Sequence, residues 1–248
     1  MKPPWRGFVG ALQFLTRFPL PATDNGLGEA LGWMPLVGLL VGGVLGLVDL
    51  GLGWLGVGPL LASTVVVVLL LAISGALHAD GLMDTCDAVF GHASPERRLE
   101  IMRDPRTGAF GVAGLVSVIA LKIAALASLP PPTRVGLIVL APCLGRWSIV
   151  LVTTLFPYGR PTGLGAPLKA AASRRVLALA SIVPVVACVV VGPLGITAGV
   201  LTVATALGIG SWLMTLLPGL TGDCYGATCE VVETVVWLCG AVLLPRFG

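Results

Sequence analysis

Charge is what this sequence has least of. Only 11% of its 248 residues are Asp, Glu, Lys or Arg, against roughly 25% in an ordinary soluble domain. Fifteen basic and twelve acidic side chains cannot cover a globule of this size in water, so a water-soluble fold is excluded. There are only two histidines, and the six cysteines (Cys86, Cys143, Cys188, Cys224, Cys229 and Cys239) show no CxxC pair. Neither a zinc site nor a disulfide framework is expected from that spacing. The basic residues are scattered through short segments and the net charge is only +3, which excludes the dense basic tract of a nucleic-acid binder.

What is abundant points one way. Hydrophobic residues make up 56% of the chain and the mean hydropathy is +0.99, the composition of a polytopic membrane protein. The 34 glycines are about twice the usual share, which in lipid signals close helix packing. Apolar runs of about 20 residues, enough to cross a bilayer, fall near 33–55, 59–77, 109–129, 135–156, 176–194 and 197–217, with a shorter seventh at 231–246. They are continuous runs rather than period-two alternations, so the expected fold class is all-α, with about six to seven transmembrane helices in a single domain over 1–248. Phe8, Leu12 and Leu15 recur at helical spacing before Pro19 and Pro21, which predicts an N-terminal interfacial helix. Lys2 and Arg6 precede that stretch, but Arg17 follows and no small-residue cleavage site appears, so a cleaved signal peptide is not expected.

The positive charges set an orientation. With the N-terminus in the cytoplasm, Lys2, Arg6, Arg17, Arg97, Arg98, Arg103, Arg106, Arg160, Lys169, Arg174 and Arg175 all fall inside, while the opposite loops hold only Arg134. Three polar segments, 78–108, 157–175 and 218–230, then emerge as loops on one side and can build one cytoplasm-facing site.

The first of these carries the chemistry. Asp80, Asp84 and Asp87 stand at i, i+4 and i+7, which places three carboxylates within an arc of roughly 60° on one helix face. No Lys or Arg lies between Asp80 and Phe90 to offset their repulsion. A divalent cation does so naturally, because Mg²⁺ takes a few carboxylate oxygens and completes its shell with substrate phosphate; a solvated acidic face is the plainer alternative. Arg97, Arg98, Arg103 and Arg106 follow, and arginine forks suit phosphate oxygens. Their alternative role is to pair with Glu96, Glu100 and Asp104 on a solvated helix. The glycine-rich YGRPTGLGAPLKA, with Arg160 and Lys169, and GLTGDCYGATCEVVE, with Asp223, Glu230 and Glu233, repeat the theme more faintly. Arg146 is costly within a span unless it faces a polar interior, a ligand or a buried carboxylate. Carboxylates for metal beside arginines for phosphate indicate phosphoryl transfer.

In these residues the sequence resembles the cobalamin synthases, the adenosylcobinamide-GDP ribazoletransferases. HADGLMDTCDAVF, its continuation ERRLEIMRDPRTGAFG, the N-terminal FLTRFPLP, YGRPTGLG and GLTGDCYGATCE carry the resemblance in order along nearly the whole chain. Ala79, Met83 and Pro105 depart from the family pattern without removing a charge. The resemblance implies a Mg²⁺-dependent enzyme of a prokaryotic cytoplasmic (inner) membrane that joins α-ribazole or its 5′-phosphate to adenosylcobinamide-GDP and releases GMP. It implies that Asp80, Asp84 and Asp87 hold the metal with Asp223 completing the site, that Arg97, Arg98, Arg103, Arg106, Arg146 and Arg160 bind phosphate, and that His78 or Asp104 accepts the hydroxyl proton. Two rival readings share parts of this pattern: a CDP-alcohol phosphotransferase of lipid synthesis, whose full motif is not matched, and a cation transporter, which would place carboxylates at mid-membrane rather than at a span end. No nucleic-acid partner is expected. A homo-oligomer or contacts with other cobalamin-pathway enzymes stay open.

Overall fold

The computed structural model describes residues 5–20 and 27–243. Lys2, Pro21 and the end of the 231–246 run therefore lie outside the described residues. In chain order the helices are α1 (Trp5–Leu15), α2 (Leu27–Ala30) with a 3₁₀ turn at Leu31–Trp33, α3 (Met34–Trp54), α4 (Pro59–Ser74), α5 (Leu77–Phe90), α6 (Pro95–Ile101) and α7 (Ala109–Ala127). They continue as α8 (Pro131–Leu155), α9 (Gly165–Ala171), α10 (Arg174–Ala180), α11 (Ile182–Val191), α12 (Pro193–Met214) and α13 (Gly222–Leu243). Among the described residues there is no strand. One isolated bridge joins Tyr158 to Leu220, fixed by Gly159 N–H on Leu220 O at 2.8 Å and Leu220 N–H on Pro157 O at 2.9 Å. The expected all-α membrane fold is therefore what the chain adopts.

Six helical stretches are long and apolar enough to cross a bilayer, and a seventh forms if α4 and α5 count as one span bent by 91°. At 1.5 Å per residue α3 covers about 31 Å, matching the hydrocarbon core, whereas α4 and α5 reach about 24 and 21 Å. The bend has a local cause. Gly75 ends α4 with φ 59° and Ala76 starts α5 with φ 57°, two successive left-handed residues that turn the chain sharply.

Glycine does the packing that its abundance predicted. Gly38 and Gly42, spaced by four on α3, face α8 so closely that a Cβ on either would collide with the carbonyls of Pro142 and Val139. Small residues at this spacing let backbones approach where lipid offers no hydrophobic drive for association.

Three expected boundaries move. The 59–77 run stops at Ser74, because the left-handed pair breaks it. The 176–194 run begins earlier, at Arg174, and divides at Ser181 into α10 and α11; Ser173 caps it by accepting Val176 N–H at 3.2 Å. The segment 218–230, expected as a loop before a short span, instead enters α13 at Gly222. Its carboxylates lowered the local hydropathy and hid a helix whose charges are paired inside the protein. α1 forms as predicted and buries Gly7, Gly10, Ala11 and Leu15.

Candidate active site

The site grows from the start of α5. His78, Asp80 and Gly81 occupy its first turns, and Asp84 and Asp87 continue the row. The N-terminus of α13 packs directly on it. A Cβ on Gly81 would lie 2.8 Å from the Asp223 carbonyl, and one on Gly226 would lie 3.1 Å from the His78 carbonyl. Two glycines therefore bring Asp223 beside the acidic row of α5. The loop after α8 closes the third side, where Arg160 pairs with Asp223 at 3.1 Å.

These elements enclose a cavity of about 240 Å³, lined by His78, Asp80, Tyr158, Arg160, Asp223 and Tyr225 among others. His78 is only 3% exposed, and neither ring nitrogen has a hydrogen-bond partner among the described residues. Such an orphaned buried imidazole is costly unless a ligand completes it. Arg160 Nε is likewise buried without a partner. Burial pushes the Tyr158 hydroxyl above its ordinary value, so it stays protonated as a donor. Asp223, Asp80 and Asp87 all act on Asp84, with Arg160 the one opposing charge.

Among the described residues no three His, Cys, Asp or Glu side chains form a complete metal cage. Mg²⁺ does not require one, since it commonly takes one or two carboxylates and leaves the remaining positions to water and substrate phosphate. Asp80 and Asp223 are hard-oxygen donors of that kind on one cavity, and Asp84 stands one turn further along α5 without lining it. Asp87 is engaged differently. It accepts Gly108 N–H at 2.7 Å and Gly111 N–H at 2.8 Å, so it caps α7 while standing on the acidic row.

The arginines of the following segment separate in the same way. Arg98 donates to Ala88 O at 3.0 Å and Val89 O at 2.7 Å, satisfying carbonyls that end α5, and to Ala93 O at 3.0 Å in the turn beyond. Arg97 pairs with Glu100 at 2.7 Å on the surface. Arg106 grips Asp104 through two bonds of 2.9 and 2.6 Å, and this guanidinium holds the Asp104 carboxyl down at about 2. Arg103 is exposed. None of these four arginines, nor Asp104, lines the cavity of His78 and Arg160. Lys169 also points elsewhere, capping α8 by donating to Thr153 O at 2.9 Å and Phe156 O at 2.7 Å.

Beneath the cavity lies a buried charge network spanning three helices. Lys122 of α7 reaches Glu230 and Glu233 of α13, each at 2.6 Å, and Arg146 of α8 pairs with Glu233. All four side chains are at most 5% exposed. The group is neutral, two charges of each sign, as burial in a membrane protein demands. Lys122 drew no attention in the sequence, although one lysine inside an apolar span is a signal in its own right. A second buried pair, Arg134 with Asp49 at 2.8 Å, joins α8 to α3.

Fold and site together define a class: a multi-pass α-helical membrane protein with an acidic-basic cavity at one end of its bundle. The chain matches the family model described as cobalamin-5-phosphate synthase over residues 7–241, and it belongs to that family. It is similar to a protein of Desulforamulus reducens, 39% identical over 242 residues and 95% of each chain, named adenosylcobinamide-GDP ribazoletransferase. Proteins of the same name from Stutzerimonas stutzeri, 41% identical over 91% of this chain and 94% of the relative, and Pseudomonas aeruginosa, 39% identical over 95% and 98%, match equally broadly. No solved structure matches the chain.

Proposed function

We propose that this protein is an adenosylcobinamide-GDP ribazoletransferase that transfers the cobinamide-phosphate moiety to α-ribazole or its 5′-phosphate, with GMP leaving. One observation carries the reading: Asp80, Asp223, Arg160 and an unpartnered His78 line a single cavity in a chain of this family. A ribose hydroxyl oxygen of the acceptor attacks the phosphorus bound to cobinamide. The new P–O bond forms as the bond to GMP breaks, and GMP departs with the electron pair.

In this reading His78 takes the hydroxyl proton. It lines the cavity and neither ring nitrogen has a partner among the described residues, and reach to the proton comes before acidity in choosing a base. Asp104 is paired with Arg106 outside the cavity. Arg160 supplies donors to phosphate oxygens. One or two of Asp80, Asp84 and Asp223 would hold Mg²⁺, which when bound would supply charge neutralisation at the pyrophosphate and at the departing GMP. Arg97, Arg98, Arg103 and Arg106 then act by holding the α5–α7 turn and enriching anions near it, while Arg146 acts on the cavity from below. We place the site on the cytoplasmic face of the inner membrane, following the basic loops.

The test mixes detergent-purified protein with adenosylcobinamide-GDP, α-ribazole 5′-phosphate and Mg²⁺ and follows GMP and the corrinoid product by mass spectrometry. Product that disappears with chelator and in Asp84→Asn supports both the transfer and the metal site. CMP release from a CDP-linked lipid, with no corrinoid product, would replace this reading by lipid synthesis.

A further inference from the structure

A second recess, of about 470 Å³, adjoins the cavity and shares Phe14, Leu77, Asp80 and Leu164 with it. Its distinctive side chain is Arg17, which follows α1. Charge patterning explains Arg17 as a topology signal only, yet the fold takes it out of the general basic surface and seats it. Its backbone N–H donates to Ile73 O at 2.8 Å, tying it to the end of α4. Its side chain then lies across Gly75 so closely that a Cβ there would collide with Nε and stand 2.7 Å from Cγ. The next residue, Ala76, is the one non-glycine with positive φ among the described residues. The α4–α5 break thus both turns the chain and clears a track for this arginine.

Arg17 and Asp80 line the same recess, yet no ion pair forms between them, and Arg17 has no salt bridge among the described residues. An exposed guanidinium held in place without a carboxylate leaves its fork free for an anion, and phosphate oxygens match that fork. The adjoining cavity independently calls for a ligand, through the buried, unpartnered nitrogens of His78. We infer that Arg17 is a substrate-binding residue that holds a phosphate group of a bound substrate at the mouth of the carboxylate cavity. The inference rests on the transferase reading for the identity of that substrate. The phosphate belongs either to the donor's pyrophosphate or to the 5′-phosphate of the acceptor.

The experiment compares wild type with Arg17→Gln and Arg17→Lys, first checking that each melts within a few degrees of wild type in detergent. In Arg17→Gln, KM for one phosphate-bearing substrate rises about tenfold or more, the equivalent of one charge-assisted contact, while kcat changes less and Arg17→Lys recovers part of the loss. A rise seen with α-ribazole 5′-phosphate but absent with α-ribazole assigns the contact to the acceptor. A rise for adenosylcobinamide-GDP with either acceptor assigns it to the donor. Calorimetric binding of inorganic pyrophosphate in Mg²⁺ buffer, weaker by about tenfold in Arg17→Gln, tests the residue even if wild type makes no product, an outcome that would overturn the transferase reading instead. Unchanged KM values and unchanged pyrophosphate binding in folded Arg17→Gln overturn the inference.

Discussion

Lys122 on α7 donates to Glu233 on α13 at 2.6 Å across 111 residues of sequence. Glu233 also accepts from Arg146 on α8, so one carboxylate ties together three helices around the floor of the site. In a low-dielectric interior, removing one member strands the charge of another. Lys122→Met is therefore expected to destabilise the protein by about 3–5 kcal/mol, read by denaturant unfolding in detergent. Adding Glu230→Gln to Lys122→Met should recover part of that loss by restoring neutrality. If the double variant is the less stable of the two, the network is not held by charge balance.

Asp84 and Asp87 stand three residues apart with different duties, and substitutions should separate them. Asp84→Asn is expected to lower turnover on the order of a hundredfold and to move the Mg²⁺ titration to higher concentration, as for loss of a metal-site group. Asp87→Ala removes two acceptors from the start of α7 and should cost about 1–2 kcal/mol of stability. Asp87→Asn keeps an acceptor and should stay close to wild type in melting. If Asp87→Asn shifts the Mg²⁺ titration as strongly as Asp84→Asn, Asp87 is a ligand as well as a cap.

This division shows which parts of the site sequence could reveal. Spacing at i, i+4 and i+7 put Asp80, Asp84 and Asp87 on one face with no tertiary knowledge, because helical period alone decides it. It could not show that Asp87 would meet Gly108 and Gly111, since that depends on how the chain returns after α6. Arg98 was legible as a cation and not as the cap of α5 for the same reason. Residues 222–230 read as loop because charge lowers hydropathy, and the lysine that neutralises Glu230 lies 108 positions away. The spans themselves were legible because each is decided by its own composition.

Substitution distinguishes the two candidate bases. Arg106 holds the Asp104 carboxyl at about 2, below the ordinary value near 4. A depressed carboxyl contributes any stability above its unfolded value and loses it only as pH falls through about 2. Asp104 is thus ionised throughout pH 5–9 and cannot shape the rate in that window. Asp104→Asn should leave the pH–rate profile of kcat/KM unchanged, whereas His78→Gln should lower turnover on the order of a hundredfold or more, the range of a general base. A profile whose acid limb vanishes in Asp104→Asn would return the proton to Asp104.

The glycines that join α5 to α13 test whether spacing at the site limits the reaction. An alanine at 81 would place Cβ 2.8 Å from the Asp223 carbonyl and 3.0 Å from its Cα, and neither backbone atom can rotate away. The helices must part, carrying Asp223 and Arg160 away from Asp80. Shifts well under 1 Å are costly to positioned chemistry, and a 1 Å misplacement can lose about a hundredfold in rate. Gly81→Ala should therefore lower kcat by about tenfold or more while much of the fold persists, since the α3–α8 and α8–α13 contacts are untouched. Gly43 on α3 offers the control, because a Cβ there meets nothing within 4 Å. Gly43→Ala should hold full activity and gain up to about 1 kcal/mol from helix propensity. Equal kinetics in the two variants would mean that α5 and α13 can separate without disturbing the reacting groups, and the close approach would then serve packing alone.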